Sequence, residues 1–168
     1  MPRTDHSPEP VTIRTDLRPG DLGTIVHLHG TTYAAERGFD PTFEAYVATP
    51  LAAFVRTRSD RERIWIAEQA GHVVGCVAIV AASEQAAQLR WFLVVPTARG
   101  QGLGKRLLDE ALAFCRACGY AEVILWTESA LPAAAHLYRA AGFHKIQEKP
   151  GRQWGVDLVE EKHELRLR

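Results

Sequence analysis

The stretch of this sequence equipped for chemistry is Trp91-Phe92-Leu93-Val94-Val95-Pro96-Thr97-Ala98-Arg99-Gly100-Gln101-Gly102-Leu103-Gly104-Lys105. An apolar, strand-like run passes into a loop with glycine at alternate positions, and the loop opens a strongly amphipathic segment. Gly100, Gly102 and Gly104 let a ligand approach the backbone without meeting a Cβ. The first turn of a helix leaves its N–H groups without intrahelical partners, at the positive end of the helix dipole. Together these features describe a seat for an anion, most naturally a phosphate or pyrophosphate, with Arg99 and Lys105 adding charge at its two ends.

Three ligand classes use such a seat. A P-loop requires G-x-x-x-x-G-K-[ST], but Arg99 stands at the first position and Arg106 at the last, so the Mg²⁺-binding hydroxyl is missing. A dinucleotide fold requires G-x-G-x-x-G directly after the first strand of a βαβ unit. Here the spacing is G-x-G-x-G, Pro96–Arg99 intervenes, and three strand-like segments precede it; only Glu128 imitates the ribose-binding carboxylate. The third class is an acyl-coenzyme A.

For that class the sequence resembles the GNAT N-acetyltransferase superfamily. Arg99-Gly100-Gln101-Gly102-Leu103-Gly104 fits its [RQ]-x-x-G-x-[GA] signature, and Ala134-Ala135-His136-Leu137-Tyr138-Arg139-Ala140-Ala141-Gly142-Phe143 fits a second element, A-x-x-L-Y-x-x-x-G-F. The resemblance implies an α/β fold, a GNAT-like mixed central sheet of about seven strands flanked by about four helices. It implies acetyl-CoA as cosubstrate, an amine acceptor and no metal. The main chain of Leu93 and Val95 would hold the pantetheine arm and acetyl carbonyl like an added strand. The amides of Arg99, Gly100, Gln101, Gly102, Leu103, Gly104 and Lys105 would hold the pyrophosphate. Tyr138 takes the place of the acid that protonates the departing thiolate. Some members carry a glutamate early in the strand that here reads Gln88-Leu89-Arg90-Trp91; in its absence Glu44 and Glu128 are the candidate bases, each with the alternative of a solvated surface carboxylate. The family often has Asn seven residues before the tyrosine, where this chain has Leu131 followed by Pro132, so one side-chain contact to pantetheine is lost.

The wording W-F-L-V, L-W-T and G-V-D-L-V-E-E is also similar to the acetyltransferase half of proteins that fuse a MarR-type regulator to a GNAT domain. No winged-helix segment fits in the remaining residues, so a free-standing version is expected. A non-catalytic acyl-CoA sensor of the same fold is the alternative, disfavoured because a sensor needs the glycine loop but not Tyr138. A small-molecule amine is preferred over a protein lysine or N-terminus, since no acidic run is present to grip a basic peptide. Dimers are common in this fold, and no residue here fixes one.

The elements that must position these residues are legible from periodicity. Val11 to Leu17 suggests a short strand, closed by Pro19-Gly20. Asp21 can cap a helix that Gly38 ends, and Asp40-Pro41 opens a second, which Pro50 should interrupt. Ile64–Ala67, Val73–Ala82 and Leu89–Val95 read as a three-stranded antiparallel meander. Leu103, Leu107, Leu108, Ala111, Leu112, Cys115 and Cys118 recur at threes and fours along a helix that Gly119 terminates. Val123–Trp126 reads as a strand covered on both faces. A helix with Ala134, Leu137, Tyr138 and Ala141 inward closes at Gly142, and strands near Phe143–Glu148 and Leu158–Leu167 finish the chain. Tyr33, Phe39, Phe43 and Tyr46 fall where the family builds its acceptor pocket, with one or two of them expected to face substrate.

Composition agrees with a globular enzyme. At 168 residues with 46% hydrophobic and 24% charged residues, the chain can bury a core of its own, which excludes disordered and coiled-coil classes. Residues 1–10 read as a disordered tail and 11–168 as one domain. Lys plus Arg and Asp plus Glu number 20 each, so no global field favours nucleic acid or an anionic membrane. No run is long enough to span a bilayer and no signal sequence is visible, so a cytoplasmic location is expected. Cys76, Cys115 and Cys118 form no disulfide framework, and Cys115-x-x-Cys118 sits at a helix C-terminus, the wrong end for a redox pair. His27 and His29 are expected at the surface or in the cleft.

Overall fold

The computed structural model describes residues 7–168. Their elements run β1 Thr12–Arg14, α1 Asp21–Arg37, α2 Thr42–Thr57, β2 Arg63–Gln69, β3 His72–Ala81, β4 Ala86–Val94, α3 Leu103–Ala117, β5 Glu122–Glu128, α4 Pro132–Ala141, β6 His144–Gln153 and β7 Val156–Arg166. The strands form one sheet in the order β1-β2-β3-β4-β5-β7-β6. All neighbours are antiparallel except β4 and β5. This is the mixed, seven-stranded, four-helix architecture that the resemblance implied. The first six residues of the expected tail lie outside the described residues.

Alternation in the strands decides which helix covers which face. In β2, Ile64 and Ile66 point to α1 and α2, where they meet Ile25, Phe43, Val47, Leu51 and Phe54. Trp65 and Ala67 point the other way, to Leu107, Leu108, Ala111 and Leu112 of α3. A strand covered on both sides cannot show polar alternation, which is why β2 and β3 read as continuous apolar runs. The α3 leucines are fully or almost fully buried, each contributing about 1.5–3 kcal/mol by leaving water. At the start of α1 the buried Asp21 carboxylate accepts hydrogen bonds from Arg14 Nη1 (2.8 Å) and Nη2 (2.7 Å) and from the Arg18 amide (2.7 Å), fixing α1 to β1. Gly38 ends α1 in the left-handed region (φ 71°), its amide bonding the Ala34 carbonyl.

Several expectations are corrected. Pro50 does not interrupt α2, which runs through it. The carbonyl it leaves unpaired, four residues back, belongs to Tyr46, 47% exposed, where water can serve it. Strand β5 is covered on one face only, because α1 and α2 lie over β2–β4; Trp126 is 36% exposed, with the Lys162 ammonium 5.9 Å from its ring. The closing hairpin is longer than its apolar residues suggested, because β6 is an edge strand exposed along nearly its whole length and shows no buried face to read. His27 is exposed, but His29 is core, 4% exposed.

Candidate active site

The site begins where the sheet opens. Strands β4 and β5 pair only from Ala86–Gln88 to Glu122–Ile124, and beyond that point they diverge. The divergence coincides with a bulge in β4. Cys76 faces Leu93 and Ala78 faces Arg90, so Trp91 and Phe92 together stand opposite Val77, with Trp91 at φ 46°. Cys76 donates its S–H to the Trp91 carbonyl (3.1 Å) inside the bulge, and burial pushes the thiol up to about 12, so it stays protonated.

The bulge also sets which main-chain groups face the gap. The Val95 amide donates to the Val74 carbonyl (2.9 Å), inside the sheet. Because hydrogen-bonding direction alternates along a strand, Leu93 also faces β3, whereas Phe92 and Val94 turn their N–H and C=O groups toward the opening. The expected use of the Leu93 and Val95 main chain is therefore corrected by one residue. The edge that no strand pairs belongs to Phe92 and Val94, which the sequence reading missed; the extra β4 residue at Trp91–Phe92 leaves no signature in an apolar run, and the Val94 carbonyl on this edge is taken by Arg99 Nε. The Leu93 side chain is core beneath α1 and α2.

The glycine loop continues from this edge. A short turn at 96–98 leads to Arg99, then Gly100 and Gly102 adopt φ 78° and 77°, with open space where a Cβ would point. Gly102 caps α3, and the first amide to bond within the helix is that of Arg106, to the Gly102 carbonyl (3.0 Å). The amides of Leu103, Gly104 and Lys105 are left at the open helix end. A Cβ on Gly104 would contact Leu137, Phe92 and Val94, so this glycine lets α3 pass close to β4 and α4. Gln101 and Lys105 are exposed; Lys105 pairs with Asp109 (2.5 Å). Arg99 bridges the loop to α1, with Nη1 to Glu36 at 2.5 Å and Nε donating to the Val94 carbonyl at 3.0 Å. Among the described residues no group of three or more His, Cys, Asp or Glu stands together to hold a metal.

Tyr138 reaches the opening from α4. It is 6% exposed and packs against Phe92 (ring centroids 6.1 Å), Phe143 (5.8 Å) and His163 (6.5 Å). Burial, reinforced by the nearby Tyr33, pushes its hydroxyl well above the usual phenol range, so it is a proton donor at every ordinary pH. Glu128, at the end of β5, is 7% exposed rather than a solvated surface carboxylate. Arg37 of α1 grips both its oxygens, with Nε to Oε2 at 2.7 Å and Nη2 to Oε1. A carboxylate so engaged has both oxygens occupied, which lowers its value as a base. Glu44 is exposed on α2, its side chain lying against Gly30 of α1, where a Cβ would collide with it. The three candidate catalytic residues thus divide: Tyr138 and Glu128 border the opening, whereas Glu44 fills a helix crossing.

Alpha-helix 1 carries Tyr33, expected at the acceptor pocket, together with Glu36 and Arg37, which the sequence reading did not assign. His29, Tyr33, Glu36 and Arg37 follow one another along it at helical spacing, the last two holding Arg99 on one lip of the opening and Glu128 on the other. Tyr33 packs on Phe39 and Phe43, and Phe39, Phe43 and Tyr46 pack on Trp154 at the β6–β7 turn. Trp154 was absent from the expected aromatic set because only the folded hairpin carries it across the domain.

The model of the acetyltransferase (GNAT) family matches residues 23–143. The chain belongs to that family. Among curated relatives, N-acetyltransferase family 8 member 2 of Rattus norvegicus is 38% identical over 86 residues, covering 48% of this chain and 38% of that protein. N-acetyltransferase 8B of Homo sapiens is 36% identical over 101 residues, 56% of this chain and 44% of that one. The chain spans less than half the length of these two relatives. Solved GNAT-like structures share its fold: the Staphylococcus aureus Mu50 N-acetyltransferase superposes with a TM-score of 0.77 at 18% identity, covering 95% of this chain and 99% of that one. Salmonella typhimurium yncA, solved with its cofactor acetyl-CoA, gives 0.71 at 21% identity and 95% coverage of both.

Proposed function

We propose that this GNAT protein transfers an acetyl group from acetyl-CoA to a primary amine by direct attack. One observation carries the reading: the main-chain edge of Phe92 and Val94, which no neighbouring strand pairs, leads through the turn at 96–98 and the glycine loop to the open amides at the start of α3. An extended amide-bearing arm pairs with the first as an added strand would, and a pyrophosphate fits the second. The acetyl-CoA bound by yncA supports the choice of ligand. Arg99, Gly100, Gln101, Gly102, Leu103, Gly104 and Lys105 keep their expected role around the pyrophosphate.

The chemistry asks little of the side chains. A free amine nitrogen forms a bond to the acetyl carbon, the carbon–sulfur bond breaks, the thiolate takes the proton of Tyr138, and the surplus proton of the new amide returns through water to the tyrosinate. Burial raises Tyr138, so it keeps its proton until the thiolate forms. A lysine-like amine is only about 1 part in 2,500 neutral at pH 7. With Glu128 engaged by Arg37 and Glu44 exposed at a helix crossing, we assign deprotonation of the amine to water rather than to a carboxylate. The rate then rises with pH along the titration of the amine itself.

We further read residues 11–168 as one acetyltransferase domain, similar to the acetyltransferase half of MarR-type fusions, acting in the cytoplasm on a small amine. Among the described residues no helix is long and apolar enough to cross a membrane. The test is calorimetric titration with acetyl-CoA, followed by thiol release with benzylamine, ethanolamine, spermidine and a lysine-containing peptide. Binding together with turnover of one of these amines is the expected result. Binding without turnover would turn the protein into an acyl-CoA sensor, and no binding would remove the reading altogether.

A further inference from the structure

Arg99 holds a carbonyl that the proposed acyl donor also needs. Its Nε donates to the Val94 carbonyl (3.0 Å), on the edge of β4 that no strand pairs, while its Nη1 and Nη2 reach the two oxygens of Glu36 (2.5 and 3.3 Å). One guanidinium thus ties the last turn of α1 to the β4 edge, directly ahead of the glycine loop. An extended arm added to that edge must donate an N–H to it, and Val94 carries the acceptor nearest the loop. The N–H of the arm and the Nε of Arg99 therefore compete for one oxygen.

The two ion pairs at the opening differ in how firmly they are held. Glu128 is 7% exposed and gripped by Arg37, which makes that pair a fixed part of the fold. The Arg99 and Glu36 side chains are 43% and 34% exposed, so water and salt weaken their attraction and a change of partner costs little. A pyrophosphate at the start of α3 presents Arg99 with the same thing as Glu36 does, anionic oxygens matched to a fork of N–H groups. Arg99 is the movable member of the opening, and Glu36 sets where it rests.

We propose that Arg99 selects the acyl donor by acting as a latch: its guanidinium covers the Val94 carbonyl until a diphosphate draws it away from Glu36 and uncovers that carbonyl for the arm. The inference rests on the acetyltransferase reading above and adds donor choice to it. A thioester that carries the diphosphate releases its own binding edge, whereas one with the arm alone has to displace Arg99 and gives it no new partner. Glu36 meets neither part of the donor and acts through Arg99, as a positioning residue.

The test compares wild type with Arg99→Met, Glu36→Gln and the double variant, by calorimetric affinity for acetyl-CoA and for S-acetylpantetheine, which has the same arm and thioester without the diphosphate. Thermal midpoints are measured alongside and are expected to be unchanged. Arg99→Met should bind acetyl-CoA about 10-fold more weakly and S-acetylpantetheine about 3- to 10-fold more tightly, two shifts of opposite sign. Glu36→Gln should bind acetyl-CoA about 3- to 10-fold more tightly, and that gain should vanish in the Arg99→Met background. A gain that persists without Arg99 overturns the proposal, because it is then plain relief of charge repulsion. Arg99→Met that weakens both ligands, or leaves S-acetylpantetheine unchanged, also overturns it, since Arg99 is then only a phosphate contact or a brace. If S-acetylpantetheine binds neither wild type nor Arg99→Met, the acetyl-CoA cycle decides alone: coupling between Glu36 and Arg99 supports the latch and its absence overturns it. A wild type that fails to bind acetyl-CoA instead sinks the underlying reading and this inference with it.

Discussion

The two sides of the β4–β5 opening are built from different materials. The proposed cofactor side is main chain: the Phe92 and Val94 edge, two glycines with positive φ, and the free amides of the first turn of α3. The proposed acceptor side is side chain: His29, Tyr33, Phe39, Phe43 and Trp154 in a packed aromatic cluster, flanked by the Arg99–Glu36 and Arg37–Glu128 pairs. A ligand such as acetyl-CoA, with a fixed chemical outline, can be held by backbone geometry, and that geometry tolerates most side chains. An acceptor has to be chosen, and choice requires side chains whose shape and polarity differ from protein to protein. Substitutions should accordingly act on one side at a time.

The largest effect is expected from Gly102→Glu, which places a side chain in the left-handed region and a negative charge at the helix end meant for the pyrophosphate. Acetyl-CoA affinity should fall by more than about 100-fold in calorimetry. Retention of binding would break the comparison on its main-chain side.

Acid tests the other side. His29 is buried and neutral, lowered from 6.5 to about 4 by desolvation, whereas in the unfolded chain it gains a proton near its ordinary value. Between those two values the unfolded state binds more protons, so stability is complete above about pH 6.5 and declines toward pH 4, by about 2–3 kcal/mol in all. Urea midpoints at pH 7 and pH 4.5 measure the decline, and His29→Leu should remove this part of it. An identical slope in the variant would assign the acid sensitivity to other groups.

Tyr138 stands at the border of the two sides. Its replacement by Phe should lower kcat by about 10- to 100-fold while acetyl-CoA affinity is unchanged. Equal loss of both would make Tyr138 a packing residue between Phe92 and Phe143. The smallest effect is expected at Glu44, where Gln preserves the shape that packs on Gly30. Its kcat should stay within about twofold of wild type, and a large loss would restore a carboxylate base and blur the division between the sides.

How much of this was legible in the sequence follows the same division. Arg99 to Gly104 and Ala134 to Phe143 are contiguous, because a strand–loop–helix seat and a helix stripe are local structures, and so both motifs could be read directly. Tyr138 came with its motif. Glu128 could be placed at the end of its strand, but not its partner: Arg37 lies far away in sequence and meets it only through the α1 packing. His29 was expected at the surface or in the cleft, and its burial beside Tyr33 is visible only in the fold. Leu93 and Val95 were misassigned by one residue, since a single inserted bulge residue reverses which groups face the gap, and an apolar run carries no mark of it.

The sequence by itself determined the order of elements, the glycine seat and the place of Tyr138 on its helix, all set by torsional freedom and periodicity over a few consecutive residues. Only the tertiary structure decided which edge of β4 is open, that Arg37 holds Glu128 and that Glu44 packs on Gly30. Those are properties of distances between segments far apart in the chain, fixed by how α1, the β4 bulge and the β6–β7 hairpin pack against one sheet.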